Sequence, residues 1–215
     1  MSEQNNPNIQ ENIPDNESQS SEEVIETSLP SPKKNGALKE VVDYVEMFVL
    51  ALCAVILLFS FAFRICTVDG ESMENTLFAD ENLLVSDLFY TPKRGDIIVF
   101  HQTKTLDEPI VKRVIATAGE HVSIEFYDGV MEVTITDTEG NTETLTESYV
   151  TYKGKPYSTN PLSVTVPEGK LFVMGDNRNN SLDSRHYGVG LVDERRVLGK
   201  VIFRIAPFNR IGIVQ

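Results

Sequence analysis

The spacing of hydrophobic positions changes character once along this chain. Residues 47–63 read MFVLALCAVILLFSFAF, an apolar run without a charge, Gly or Pro. Tyr44 and Val45 extend it at one end and Arg64 can snorkel at the other, so it reaches the roughly 20 residues that cross a hydrocarbon core of about 30 Å. This predicts one transmembrane helix. A buried core helix or the apolar part of a cleaved signal peptide has a similar pattern, but a secretory signal is shorter and does not follow a long polar segment. After residue 64 the apolar residues fall into short β-branched runs at 82–89, 96–101, 110–117, 121–126, 130–136, 162–166, 170–174 and 198–205. Gly, Pro and Asn at 92–95, 119, 128–129, 139–141, 153–156 and 167–169 punctuate them as turns. The outer part of the chain is therefore predicted to be all-β. The acidic, hydroxyl-rich residues 137–148 predict a solvated hairpin, and 120–167 a small β appendage on the main body.

Composition sets the ends of this scheme. The first 32 residues hold seven acids and no Lys or Arg, and are rich in Asn, Ser, Gln and Pro. They cannot bury enough apolar surface to offset ordering entropy, so residues 1–36 are expected to be a disordered acidic tail. Residues 37–65 form the anchor with its flanks, and residues 66–215 the β domain. Without the first 32 residues the net charge of −13 falls to about −6, which argues against a nucleic-acid partner. Lys33, Lys34 and Lys39 precede the span and Arg64 alone closely follows it, so the tail is expected in the cytoplasm and the β domain on the outer face of the plasma membrane. Cys53 lies in the span and Cys66 is 13 residues further on, about 20 Å away if the helix continues, beyond disulfide reach. No Cys/His cluster has metal-ligand spacing, and no cofactor is implied.

Three segments carry candidate chemistry, and none depends on a histidine. Residues 68–77 read VDGESMENTL, with Ser72 between Gly70 and a turn-prone Glu74-Asn75. Such a serine commonly just hydrogen-bonds its own backbone, but Ser72 lies nine residues after Phe63. Even an extended chain keeps it within roughly 30 Å of the bilayer, so its substrate is expected to be membrane-bound too. In residues 110–115, IVKRVI, Lys112 and Arg113 interrupt an apolar strand, where neighbouring side chains point to opposite faces. One of them turned inward gives a desolvated Lys112 able to act as a general base; an edge strand wearing both charges outward is the alternative. Residues 175–188, GDNRNNSLDSRHYG, form a dense polar loop in which Asp176 with Arg178, and Asp183 with Arg185, can pair while Ser181 orients a neighbour.

Together these segments resemble the type I signal peptidases, membrane-anchored Ser/Lys proteases that remove signal peptides from exported proteins. The loop at 175–188 is similar to the family signature GDNRxxSxDSRxxG, and it follows the SM and KR segments in the family's order. The resemblance implies Ser72 as nucleophile, Lys112 as general base and Ser181 as the residue positioning the amine. It implies Asp183, Arg185, Asp176 and Arg113 as a supporting network, with Gly95 and Asp96 in a shorter structural motif. It also implies a coiled, barrel-like β body. Many members carry Pro where this chain has Asn75, which leaves that turn less constrained.

The chemistry so implied is acyl transfer, with neutral Lys112 taking the Ser72 proton and Ser72 Oγ attacking the scissile carbonyl. Gly70 lets the backbone approach closely, so the Ser72 N–H can help hold the oxyanion; Val68, Met73 and Leu77 are candidate pocket walls or ordinary core residues. The expected partners are preprotein signal peptides with Ala-x-Ala sites, docked as an added strand, and the lipid bilayer. Three other classes are weighed at this point. One is a Ser/His hydrolase using His101, His121 or His186, although the second glycine of a G-x-S-x-G elbow is missing; another is a self-cleaving regulator of the Ser/Lys type, which a membrane anchor and an outward domain fit poorly; the third is an anchored, catalytically silent binding module.

Overall fold

The computed structural model describes residues 36–101, 108–128, 130–154 and 159–214. The acidic tail, Lys33 and Lys34, and the turn positions Gly129, Lys155 and Pro156 lie outside the described residues. Helix α1 spans Gly36–Ala62, 27 residues and so about 40 Å long. Its mean hydropathy reaches 2.6, and by length and composition it can cross a membrane. By internal contacts the described residues divide within this helix, between Met47 and Phe48.

The helix stops one residue short of the apolar run. Phe63–Thr67 is strand β1, because its backbone groups are taken by strand β2, Asn82–Ser86, in antiparallel register from Phe63↔Ser86 to Thr67↔Asn82. The chain therefore passes from helix to sheet without a linker. Cys66 lies on this strand and not on a continued helix, so the helical spacing expected between the two cysteines does not apply; both are free. Burial raises the Cys66 thiol pKa, against the smaller pull of Arg64, which keeps it protonated and unreactive.

The remaining strands are β3 (Ile97–His101), β4 (Pro109–Ala116), β5 (His121–Tyr127), β6 (Val130–Thr136), β7 (Thr142–Thr144), β8 (Leu162–Thr165), β9 (Lys170–Met174), β10 (Val192–Asp193), β11 (Val197–Ala206) and β12 (Gly212–Ile213). They form two open antiparallel sheets. The larger runs β1-β2-β11-β3-β4-β9-β10 with β12 added to β11, and the smaller runs β7-β6-β5-β8. Neither closes on itself, so the barrel-like body implied by the resemblance is replaced by two sheets with free edges. The run at 82–89 yields a shorter strand than expected, because Phe89 adopts a φ of 51° and Tyr90 N–H turns back to Asp87 C=O at 3.2 Å.

Strand β4 is the spine of the larger sheet, paired with β3 on one side and β9 on the other. That central position excludes an edge strand with outward charges: Lys112 and Arg113 are both 2% exposed. The two sheets also share a core. Ile115 and Ala116 of β4 and Phe172 and Met174 of β9 pack with Val122 and Ile124 of β5 and with Met131, Val133 and Ile135 of β6. The smaller sheet thus buries its apolar face on the strands that carry the polar loop, and it cannot loosen without exposing both sides. Phe172 is 1% exposed at this junction. Phe172→Ala is expected to cost about 3–5 kcal/mol, read as a lower midpoint in urea unfolding.

Candidate active site

The site is assembled from three stretches distant in sequence. The loop between β1 and β2 carries Ser72. Apolar residues anchor this loop: Val68, Met73 and Leu77 are buried in a cluster with Leu83, Val85, Ile97 and Val99. Met73, expected near the substrate, is 1% exposed and sits beneath the loop as core, because an unbranched apolar side chain gains more there than at a wet surface. Gly70 is exposed with a φ of 80°, a conformation that sets the turn before the nucleophile. The Glu74–Asn75 peptide bond is cis.

Lys112 reaches Ser72 from β4. Its Nζ lies 2.7 Å from Ser72 Oγ and donates to the Val111 carbonyl at 2.8 Å. Burial pushes the amine from its ordinary 10.5 down to about 8; the Asp183 and Asp176 carboxylates oppose this, and Arg185 adds to it. Roughly a tenth of the amine is then neutral at pH 7, against less than a thousandth for an exposed lysine.

Neither carboxylate is left over to pair with Lys112. Asp176, fully buried, is gripped by Arg113 through Nε to Oδ1 at 2.9 Å and Nη2 to Oδ2 at 2.8 Å, and Thr76 donates to Oδ2 at 2.5 Å. Arg113 also donates to the Gly95 carbonyl at 2.9 Å, and its guanidinium lies 3.7 Å over the Tyr149 ring. Asp183, fully buried, takes Arg185 Nε at 2.8 Å and Nη2 at 2.7 Å and the Gly175 N–H at 3.0 Å. Burial opposes ionisation of Asp183, but these bonds outweigh it and hold the carboxyl below its ordinary range. Arg178, expected to pair with Asp176, instead reaches Glu147 at 2.5 Å, since Arg113 already fills both Asp176 oxygens.

Ser181 is 3% exposed and packs against Gly175; its hydroxyl helps hold Asp183 ionised, and no hydrogen bond joins it to the Lys112 amine. Gly175 explains the tight fit. A Cβ there would come within 2.3 Å of Ser181 Oγ and 2.4 Å of the Ser72 carbonyl oxygen, so only glycine lets the polar loop lie against Ser72. The loop is tied to Ser72 through the Asn177 N–H, which donates to the Ser72 carbonyl at 3.0 Å. No histidine approaches Ser72 to hydrogen-bonding distance among the described residues. The His121 ring contacts Thr165 and Ser163, and His186 Nδ1 accepts from Gly188 N–H. Sequence reasoning missed Thr76, Glu147, Tyr149 and Asn177. Glu147 and Tyr149 had no signal, lying in or beside an acidic stretch that reads as solvated; Asn177 stood in the loop without a stated role.

A serine hydroxyl against a buried, weakly basic amine is an arrangement for acyl transfer without histidine or metal ligands. The comparisons agree in kind. Residues 41–206 match the family described as Signal peptidase, peptidase S26. The chain is 33% identical over 189 residues to signal peptidase IB of Staphylococcus aureus (strain COL), covering 80% of this chain and 92% of that protein. It is 34% identical over 179 residues to signal peptidase I of Bacillus licheniformis, covering 79% and 90%. A crystal structure of a signal peptidase I from Enterococcus faecalis aligns with 52% of this chain and 97% of its own, at 30% identity and a TM-score of 0.40. With the match spanning both the apolar helix and the β domain, the chain belongs to the signal peptidase family and is a membrane-anchored serine endopeptidase.

Proposed function

We propose that this chain removes signal peptides from exported preproteins by a Ser/Lys acyl-enzyme mechanism. The observation that carries the reading is the 2.7 Å approach of the buried Lys112 amine to Ser72 Oγ. In its neutral form the amine accepts the hydroxyl proton as Oγ attacks the scissile carbonyl, and then returns that proton to the leaving amine of the mature chain. A water deprotonated by the same amine releases the acyl group. Ser72 N–H stabilises the oxyanion, while Asp176 with Arg113, and Asp183 with Arg185, keep the loop at 175–188 against the nucleophile. Ser181 backs that loop at Gly175.

The substrate is read as an extended chain with small residues at the first and third positions before the cut, an Ala-x-Ala site. Helix α1 holds the enzyme in the bilayer, with the acidic tail in the cytoplasm and residues 66–215 on the outer face, where a signal peptide still seated in the membrane presents its cleavage site.

Mass analysis of a preprotein bearing an Ala-x-Ala site, incubated with the detergent-solubilised chain, is expected to reveal one cut after that site. Ser72→Ala and Lys112→Met should each lower kcat by at least about 10⁴-fold; cleavage by either at a tenth of the normal rate would refute the assignment. Lys112→Met should also stabilise the fold at pH 7 by about 1–3 kcal/mol, because it removes the cost of burying an amine that is still mostly protonated there.

The pH dependence follows from the lowered amine pKa. Lys112 must be neutral to act, so kcat/KM is expected to rise about tenfold per pH unit up to about 8 and then level off. For stability, the unfolded chain binds the proton up to 10.5 and the folded one only up to about 8. The penalty is thus fully present below pH 8 and is relieved as pH rises between these values, an increase that urea titrations should detect in the parent and not in Lys112→Met.

A further inference from the structure

Asn177 makes a pair of contacts that the catalytic roles above do not use. Its side-chain Nδ2 donates to the Glu71 carbonyl at 3.3 Å, and its backbone N–H donates to the Ser72 carbonyl at 3.0 Å. The peptide units on both sides of the nucleophile are therefore held by one residue. The Glu71–Ser72 peptide is trans, the cis bonds being Glu74–Asn75 and Ala206–Pro207. In a trans peptide the C=O and the N–H point in opposite directions on one rigid plane. A hydrogen bond that fixes the Glu71 carbonyl consequently fixes the direction of the Ser72 N–H, which has no protein acceptor among the described residues.

The second observation is energetic. Asn177 is fully buried, and its Oδ1 has no hydrogen-bond partner. Exchanging the amide's N and O would set Oδ1 against the Glu71 carbonyl oxygen, two acceptors face to face, so the orientation is settled by its one good contact. A stranded buried acceptor opposes folding, which makes this side chain a poor choice if its only task were stability. The Glu71 residue it binds is itself exposed, so water could satisfy that carbonyl if Asn177 were absent.

We propose that Asn177 is a positioning residue for the oxyanion donor: through the Glu71 carbonyl its amide aims the Ser72 N–H at the oxygen on which negative charge develops. The inference rests on the reading of Ser72 as nucleophile. It acts on the transition state and not on substrate binding, because the carbonyl oxygen gains charge only as Oγ adds to it.

Asn177→Leu is the informative variant. It keeps the shape of the side chain, removes the Nδ2 donor, and also removes the stranded Oδ1, so the fold should remain as stable as the parent in urea titration. With the same preprotein, kcat is expected to fall about 10–100-fold with KM within twofold, less than the 10²–10³-fold typical of deleting an oxyanion donor outright. A peptide aldehyde ending in the Ala-x-Ala sequence, which forms a tetrahedral adduct with the serine, should weaken by the same factor, whereas an uncleavable peptide of that sequence should bind unchanged. Asn177→Asp, which retains Oδ1 but loses the amide donor, should repeat the kinetic pattern. Asn180→Ala, which removes a contact to the Glu71 carboxylate, should leave kcat within twofold.

Undiminished kcat in a folded Asn177→Leu, equal weakening of aldehyde and uncleavable peptide, or an equal loss in Asn180→Ala would each overturn the proposal. A chain in which Ser72→Ala itself retains activity would instead refute the underlying Ser/Lys reading.

Discussion

The site depends on a lysine amine buried beside a serine without a carboxylate of its own. Two aspartates stand close enough to Lys112 to pull its pKa upward, yet each already has both oxygens engaged by an arginine, Asp176 by Arg113 and Asp183 by Arg185. Had either carboxylate been free, it would have captured the ammonium as an ion pair and kept it protonated. Because the counterions are spent, desolvation dominates, and the amine is poised near 8. The arginines thus act on the Lys112 amine at a distance, by keeping acids away from it.

That electrostatic arrangement requires a rigid frame, since a buried amine lowers its own cost by moving toward water whenever the surroundings let it. Strand β4 supplies the rigidity. It is hydrogen-bonded on both sides and sends Lys112 toward the serine and Arg113 toward the polar loop from consecutive residues. The same strand continues into Ile115 and Ala116, which join the core shared with the smaller sheet. The loop at 175–188 follows directly from β9 and closes on Ser72 at Gly175, where no side chain fits. Packing, strand pairing and the contacts of the candidate site therefore meet in β4 and β9.

The smaller sheet is tied to the site by polar contacts as well. Arg178 crosses to Glu147, and Thr151, opposite Asn177, donates its N–H to the Asp176 carbonyl and accepts from the Arg178 N–H, so the segment after β7 braces the loop at 175–188. These are charge-assisted or buried bonds, in a setting where low dielectric strengthens them.

Much of this was legible before any coordinates. A seventeen-residue apolar run pointed to a membrane-length helix and the β-branched runs to strands, since period and side-chain shape are local properties. Ser72, Lys112 and the loop at 175–188 could be named because their residue types and order match a family. Local signals failed where a long-range partner decided. The helix ends at Ala62 because β2 captures the next five residues, and β2 ends at Ser86 because the chain turns at Phe89. Asp176 pairs with Arg113, 63 residues away, and not with its neighbour Arg178. The sheets stay open, Met73 takes the core role and not the pocket-wall one, and Ser181 packs against Gly175 without a bond to the Lys112 amine. Sequence alone determined which groups were available and which elements could form, because those follow from covalent structure and short-range sterics. Only the tertiary structure decided which carboxylate each arginine neutralises, and hence whether Lys112 is a base, because ion pairing and desolvation depend on distances that folding alone creates.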